Sequence, residues 1–294
     1  MEGGARPDAD HAPPADHAPH LTPSGRPLRA PIFEIGLKGY AYGTEAVRLA
    51  KAADRLAEEL DVTVIFDPQA VDIAAVARET RHLHVFAQHM DPVTPGRGAG
   101  AVLAEAIKEA GAVGAMLNHS ERRMTLADIA GAIRRAREVG LATMVCADSP
   151  EEAAAVALLG PDIVLAEPPS LIATGRSAAT EMRDFVERAV EMVGRVDPRI
   201  LVMCGAGVQT PDDVARMVRL GVSGTGSSSA VLKAPDPVAL MEAMLIALRR
   251  AWDERHGAPG PAPAGAAAPG PAGAGAAAPG PETHPSPTST SAGG

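Results

Sequence analysis

The chain has 294 residues and a net charge of −9 at pH 7, from 27 Lys and Arg against 36 Asp and Glu. This balance argues against a non-specific nucleic-acid binder, which needs a basic surface. It leaves phosphorylated small molecules open, because backbone N–H groups hold phosphate on proteins of either sign. No apolar run reaches the ~18 residues of a membrane span, and no charged segment followed by an apolar one opens the chain. With two separate cysteines, Cys146 and Cys204, inside apolar runs, we expect a cytoplasmic protein with reduced thiols and no membrane contact.

Both ends of the chain have low-complexity composition. Residues 1–30 are rich in Ala, Pro, His and Asp, and residues 257–294 consist of Ala, Pro and Gly followed by Ser and Thr. Such segments bury too little apolar surface to offset the entropy of ordering them. We therefore predict two disordered tails, 1–30 and 257–294, around one folded domain of residues 31–256. That length is close to the ~250 residues typical of one α/β barrel.

From residue 32 onward, short apolar runs alternate with longer amphipathic stretches. Strands are predicted at Ile32–Leu37, Val62–Phe66, His84–Ala87, Val113–Leu117, Ala142–Cys146, Ile163–Ala166, Leu201–Cys204 and, more weakly, Gly224–Ser227. Helices are predicted at Thr44–Leu60, Leu126–Val139, Pro150–Leu159, Thr180–Val196 and Pro211–Leu220. Two of these begin after a Ser or Thr that can cap them. Gly111, Gly140 and Gly221 each follow a helical run and are typical of its end.

Eight alternations of strand and helix predict a parallel sheet with right-handed crossovers. An open, doubly wound sheet would call for a glycine-rich dinucleotide turn after its first strand. The segment that follows here, Gly36–Tyr40, does not match that pattern. We therefore predict a single (β/α)8 barrel.

In such a barrel the active site forms at the carboxyl ends of the strands, so the polar residues at those ends are the candidates. They are Lys38, Gln88, His89, Asn118–Glu121, Glu167 and the turn Gly205–Gly207. A lysine, a histidine and a carboxylate beside a glycine turn suit proton abstraction next to a carbonyl on a phosphorylated substrate.

Several of these segments resemble the triosephosphate isomerase family. Residues 118–123 read Asn-His-Ser-Glu-Arg-Arg, similar to the family's His-Ser-Glu-Arg-Arg segment. Glu167-Pro168, followed by Ala173-Thr174-Gly175, is similar to its Glu-Pro base and Gly-Thr-Gly lid. Residues 87–92 and 109–114 are similar to the shorter, archaeal-type members. The likeness extends over about residues 31–250.

The resemblance implies a role for each of four side chains. Glu167 would move the proton between neighbouring carbons, and neutral His119 would donate to the carbonyl oxygen. Lys38 would stabilise the developing negative charge, with Glu121 as its partner. The product pair would be glyceraldehyde 3-phosphate and dihydroxyacetone phosphate, interconverted through an enediolate in glycolysis and gluconeogenesis.

The resemblance also implies how the substrate is held. A lid at about residues 168–177 would exclude water from the intermediate. The phosphate would bind at Gly175, Gly205, Gly207, Ser228 and Ser229. No cofactor or metal is expected, and we expect a homo-oligomer, a dimer or a tetramer. His89 and Asp91 could suggest a metal pair, but no third ligand is near them in sequence, so we interpret them as structural.

Four positions depart from the family pattern. Gly36 replaces an Asn two residues before the lysine, and Ala99 replaces a Thr that reaches a neighbouring subunit. Gln209 replaces a Ser, and Ala230 replaces a Gly. These changes leave alternatives open: an aldose–ketose isomerase for another short sugar phosphate, a non-catalytic barrel that binds a phosphorylated metabolite, and a Schiff-base aldolase that uses Lys38.

Overall fold

The computed structural model describes residues 20–168 and 183–257, and within them eight parallel strands form a closed barrel in chain order. The strands are β1 Ile32–Gly36, β2 Thr63–Asp67, β3 His84–Ala87, β4 Gly114–Leu117, β5 Ala142–Ala147, β6 Ile163–Ala166, β7 Leu201–Met203 and β8 Gly224–Gly226. The predicted (β/α)8 barrel is confirmed, and each strand ends within one residue of its predicted bounds.

Alternation along the strands produces two apolar layers. Ile32 and Ile65 belong to the cluster that fills the barrel, whereas Phe33, Val64 and Phe66 belong to the larger cluster between strands and helices. Because successive side chains of a strand point to opposite faces, strands buried on both sides read as continuous apolar runs. This explains why the strands were recognisable in the sequence.

Closure of the barrel depends on the pairing of β1 with β8, in which Ile32 lies opposite Gly224 and Glu34 lies opposite Gly226. A Cβ atom at Gly224 would lie 2.4 Å from the Ile32 carbonyl oxygen. The glycine therefore permits a close approach that any side chain would prevent. The weak apolar signal of β8 is a consequence of this requirement.

Helices cover the outside of the barrel. They are α1 Gly43–Glu59, α2 Ile73–Glu79 after a 3₁₀ turn at Ala70–Asp72, α3 Ala104–Glu109, α4 Leu126–Val139, α5 Pro150–Ala157, α6 Arg183–Val196, α7 Pro211–Arg219, α8 Ser229–Leu232 and α9 Pro237–His256. The predicted caps form. The Ser149 side chain accepts a hydrogen bond from the Glu152 N–H, Thr210 and Asp213 make a reciprocal capping box, and Gly140 ends α4 with a left-handed φ of 74°.

The folded region begins earlier than the sequence patterns predicted. We assigned residues 1–30 to a disordered tail, but residues 20–30 pack at the amino-terminal end of the barrel. Leu28 is fully buried in the barrel interior, and Leu21 pairs with Pro27 in an antiparallel bridge. The imidazole Nε2 atom of His20 lies 3.3 Å from a carboxylate oxygen of Asp162. Composition concealed this because one deeply buried leucine anchors an otherwise polar segment.

Other sequence predictions fall outside the described residues. These are the tail segments 1–19 and 258–294, the lid beyond Pro168, and the first turn of the helix predicted from Thr180. Across the residues described, no helix combines the length and apolar character needed to span a membrane.

We predict that Leu28 is a major contributor to the stability of the barrel. Leu28→Ala should lower the free energy of unfolding by about 2–5 kcal/mol, because it leaves a cavity among buried side chains. The matched control is Leu21→Ala in the same segment, where the side chain is 43% exposed and the loss should be much smaller. Urea unfolding of both variants measures these changes. An equal loss of unfolding free energy in the two variants would show that burial of Leu28 does not stabilise the barrel.

Candidate active site

A cavity of about 400 Å³ opens at the carboxyl ends of the strands. The predicted site residues within the described part of the chain all line it: Lys38, His119, Glu121, Glu167, Gly205, Gly207, Ser228 and Ser229. Gly175 lies outside the described residues. Side chains that are far apart in sequence thus meet because parallel strands end at the same rim.

Lys38 is held in an uncommon backbone conformation. Its φ is 48°, in the left-handed region that costs a non-glycine residue about 1–3 kcal/mol. The amide groups of Gln69 and Gln88 donate hydrogen bonds to the Lys38 carbonyl oxygen at 2.5 and 3.1 Å and stabilise this turn. The ammonium group then lies 2.8 Å from a carboxylate oxygen of Glu121. Lys38 is therefore fixed at both ends, with its charge at the cavity.

The loop that carries His119 is built around Asn118. Its φ of 59° turns the chain sharply after β4. The Asn118 amide donates to the Cys146 carbonyl oxygen at 3.0 Å and its oxygen accepts from the Met124 N–H at 3.0 Å. The asparagine thereby ties the loop to the neighbouring strand, which sets the position of the imidazole.

The surroundings of His119 keep its ring neutral. Its Nδ1 accepts a hydrogen bond from the Glu121 backbone N–H at 3.1 Å, so the proton of the neutral ring resides on Nε2. Burial, reinforced by the charge of Lys38, lowers the pKa of His119 to about 4. A neutral imidazole with a free N–H is a hydrogen-bond donor that does not carry positive charge.

Glu167 follows β6, and its N–H donates to the Ala147 carbonyl oxygen at 2.8 Å. Burial and the nearby charge of Glu34 raise the pKa of Glu167 to about 7, although Lys38 acts in the opposite direction. A Cβ atom at Gly205 would lie 2.9 Å from a Glu167 carboxylate oxygen. The glycine therefore leaves room for the carboxylate at the rim, and the raised pKa suits a general base at neutral pH.

The candidate phosphate residues lie at the ends of β7 and β8. Gly207 has a φ of 73°, which bends the turn after β7. Ser228 precedes the short helix α8 without capping it by its side chain. The Gln209 side chain is exposed, and the backbone N–H of this residue donates to a carboxylate oxygen of Asp213 at 3.3 Å. The substitution at this position therefore leaves the turn intact.

Two further carboxyl groups line the cavity, those of Glu34 and Asp67. The sequence patterns did not predict either of them as a site residue. The available signal was a charged residue inside an apolar strand, at an inward position two residues before Gly36. A Cβ atom at Gly36 would lie 2.4 Å from the Glu34 Oε1 atom. Glu34 fills the space beside this glycine. Position 36 therefore lacks the asparagine side chain of the family pattern and also makes room for the Glu34 carboxyl.

His89 and Asp91 form a structural pair. Their imidazole Nε2 and carboxylate Oδ1 atoms are 3.0 Å apart, and the other Asp91 oxygen accepts from the Val102 N–H at 2.7 Å. The pair thus connects the two ends of the loop after β3. In residues 20–168 and 183–257, no group of three or more His, Cys, Asp and Glu side chains is arranged to hold a metal ion.

Comparison with known proteins gives a consistent result. The family model described as triosephosphate isomerase matches residues 31–244. The chain is 40% identical to the triosephosphate isomerase of Methanobacterium bryantii over 209 residues, 70% of this chain and 92% of that protein. It is 36% identical to that of Sulfurisphaera tokodaii over 230 residues, 78% and 100% of the two chains. The crystal structure of the Bartonella henselae triosephosphate isomerase superposes with a TM-score of 0.57 at 20% identity, covering 74% of this chain and 99% of that one.

We predict that the His119 ring stays neutral, protonated on Nε2, until the pH falls to about 4, because its lowered pKa leaves the ring uncharged at any higher pH. Nitrogen NMR of the imidazole as a function of pH measures this. The pKa of His84 is also lowered to about 4 by burial, so the spectrum of His119→Gln is needed to assign the signal. Titration near the ordinary value of 6.5 would contradict the prediction.

Proposed function

Because this chain belongs to the triosephosphate isomerase family, an aldose–ketose isomerase family, we propose that it interconverts glyceraldehyde 3-phosphate and dihydroxyacetone phosphate with Glu167 as the base and His119 as the electrophile. The observation that carries the residue assignment is the convergence of a carboxyl group with a raised pKa and a neutral imidazole on one cavity. Opposite shifts of two titratable groups in one site favour separate base and acid roles.

In this mechanism ionised Glu167 removes a proton from the carbon beside the carbonyl group. The electron pair of that C–H bond forms the enediolate, and the Nε2–H of His119 hydrogen-bonds the oxygen on which negative charge develops. Glu167 then returns the proton to the neighbouring carbon. The proton of the original hydroxyl group passes to the other oxygen through the Nε2 atom of His119, so that the hydroxyl becomes the new carbonyl and the exchange of aldehyde and ketone is complete. The reaction is balanced without an oxidant, a reductant or a metal ion.

Lys38 supplies electrostatic stabilisation. Its ammonium group is at the cavity and is oriented by Glu121 at 2.8 Å, which leaves the remaining donor hydrogens of the ammonium for an anionic ligand. We propose that the phosphate group binds at Gly207, Ser228 and Ser229, with Gly205 in the same turn and Gly175 in the lid segment. Backbone N–H donors of this kind are insensitive to side-chain changes such as Ala230.

The alternative functions receive less support. A Schiff-base aldolase on Lys38 or a non-catalytic binding barrel would give no reason for a carboxylate and a neutral imidazole in one cavity. Family membership also favours the isomerase. An aldose–ketose isomerase acting on a longer sugar phosphate uses the same chemistry, so a substrate panel is needed to separate it from the triose reaction.

We predict that Glu167→Asp lowers kcat by roughly 10²–10⁴-fold with little change in KM, because one methylene group withdraws the carboxylate from the reacting carbon.

In the unaltered protein kcat/KM should rise as pH increases through about 7, because the base acts only when ionised and its pKa is raised to that value. Steady-state assays with glyceraldehyde 3-phosphate and with four- and five-carbon ketose phosphates measure both effects.

The control for this prediction is Glu187→Asp on the outer helix α6, where the side chain is 49% exposed and kcat should be unchanged. Undiminished turnover by Glu167→Asp would exclude Glu167 as the base. A larger kcat/KM for a longer sugar phosphate than for the triose would overturn the substrate assignment and keep the reaction class.

We further propose that the protein is a cytoplasmic homo-oligomer that serves glycolysis and gluconeogenesis. Two exposed side chains support the assembly: Tyr42, which precedes α1, is 70% exposed, and Val71, in the 3₁₀ turn before α2, is 88% exposed. The Gly43 N–H donates a 2.9 Å hydrogen bond to Asp72 and connects these two segments. Exposed apolar patches of this kind mark interaction surfaces. The loop of residues 95–100, which includes Ala99, is also exposed.

The two cysteines are free and buried, as expected in a reducing compartment.

For the assembly we predict a dimer or a tetramer at micromolar concentration in sedimentation velocity. Val71→Asp should shift the population toward monomer, because it places a charge in an apolar contact. Leu158→Asp, at a side chain 75% exposed on another part of the surface, is the control and should leave the assembly unchanged. A stable monomer of the unaltered protein would refute the oligomer.

A further inference from the structure

The floor of the cavity carries a pair of carboxyl groups that the mechanism above does not use. Glu34 on β1 has the same inward orientation as Ile32, and Asp67 at the end of β2 has that of Ile65. Glu34 is 7% exposed and Asp67 is fully buried, yet both line the cavity. They therefore lie beneath the region that a substrate would occupy.

Two glycines make room for Glu34. A Cβ atom at Gly36 would lie 2.4 Å from Glu34 Oε1 and 2.9 Å from the Ser228 hydroxyl oxygen. A Cβ atom at Gly226 would lie 2.4 Å from Glu34 Oε2. The Glu34 carboxyl is consequently enclosed between the ends of β1 and β8, close to Ser228 on one side.

The Asp67 carboxyl depends on Glu34 for any compensation of its burial. Among the described residues, neither carboxylate oxygen of Asp67 has an amide, hydroxyl or cationic partner within hydrogen-bond distance. Burial raises the pKa of both carboxyl groups, and the negative charge of Glu34 raises that of Asp67 further. The hydrogen bond with Asp67 and, less strongly, the charge of Lys38 act against the shift at Glu34. Two adjacent buried carboxyl groups of this kind retain a shared proton, because both cannot ionise together.

A carboxyl group accepts a hydrogen bond from a hydroxyl group whether or not it is ionised. It does not match a phosphate, whose charge the anionic member of the pair would repel. Glu34 is also near the base. A Cβ atom at Gly205 would lie 2.9 Å from a Glu167 carboxylate oxygen and 3.4 Å from the backbone of Gly226, the glycine beside Glu34. A sugar phosphate bound between Ser228 and Glu167 would therefore lie close to the Glu34 carboxyl.

We propose that Glu34 is a substrate-binding residue whose carboxyl group hydrogen-bonds a hydroxyl group on the carbon chain of the sugar phosphate. This inference rests on the proposed function, because it takes the phosphate subsite and the base as the two ends of the substrate. Gly36 then serves to admit Glu34. Introducing Asn at position 36 would not simply add a donor, because its Cβ would meet the Glu34 carboxyl.

The test is calorimetric binding of dihydroxyacetone phosphate in a Glu167→Gln background, which prevents both turnover and any effect of Glu34 on the ionisation of the base. In this background, Glu34→Leu should weaken binding at least tenfold, because it removes the hydrogen bond at nearly constant size. Glu34→Gln, which keeps a donor and an acceptor, should stay within about threefold of the parent. Inorganic phosphate, which lacks the carbon chain, should bind all three forms equally.

Ile32→Val in the same background is the packing control, since it alters the same strand face below the cavity and should not change either affinity. Dihydroxyacetone phosphate binding equally well to the Glu34→Leu form would overturn the proposal. So would a parallel loss of inorganic phosphate, because that would indicate general damage to the site. Failure of the proposed function has a different signature: the unaltered protein would bind dihydroxyacetone phosphate without isomerising it.

Discussion

Closure of the sheet between β1 and β8 is the constraint on which the remaining structure depends. The two strands can pair only because Gly224 and Gly226 present no side chains to Ile32 and Glu34. Once the ring is closed, all eight strands end at one rim, and loops that are distant in sequence deliver their side chains to the same cavity. Leu28 and the other apolar side chains of the interior fill the barrel at the amino-terminal ends of the strands, and the cavity opens at their carboxyl ends.

Charge at the open end is arranged unevenly. Glu34, Asp67 and Glu167 all line the cavity and all have raised pKa values, because burial penalises their ionised forms, while Lys38 is the cation that opposes the shift at Glu34 and at Glu167. Binding an anionic phosphorylated ligand in such a place is unfavourable if every carboxyl group is ionised. A carboxyl group that keeps its proton does not repel the ligand, so raised pKa values make binding less unfavourable. The Glu167 carboxyl, with a pKa of about 7, changes its protonation state near neutral pH.

The sequence predicts the barrel well because its strands are buried on both faces and its helices carry recognisable caps, such as Thr210. It also identifies the residues whose polar character interrupts an apolar run at a strand end, including His119 and Glu167. The packing of residues 20–30 was missed because burial of Leu28 depends on tertiary contacts that composition does not report. Glu34 was missed because its significance depends on the space left by Gly36 and Gly226, which only the closed barrel reveals.

In the proposed reaction Glu167 carries a proton between adjacent carbons while neutral His119 stabilises the oxygen. Isomerisation of glyceraldehyde 3-phosphate in D₂O, followed by proton NMR of the product, measures this proton transfer. A proton held on a carboxyl group exchanges with solvent during the lifetime of the intermediate, so we expect carbon-bound deuterium in part of the dihydroxyacetone phosphate formed. The product should not form at an appreciable rate with Glu167→Gln. Product that never contains carbon-bound deuterium, formed equally well by Glu167→Gln, would exclude proton transfer by Glu167.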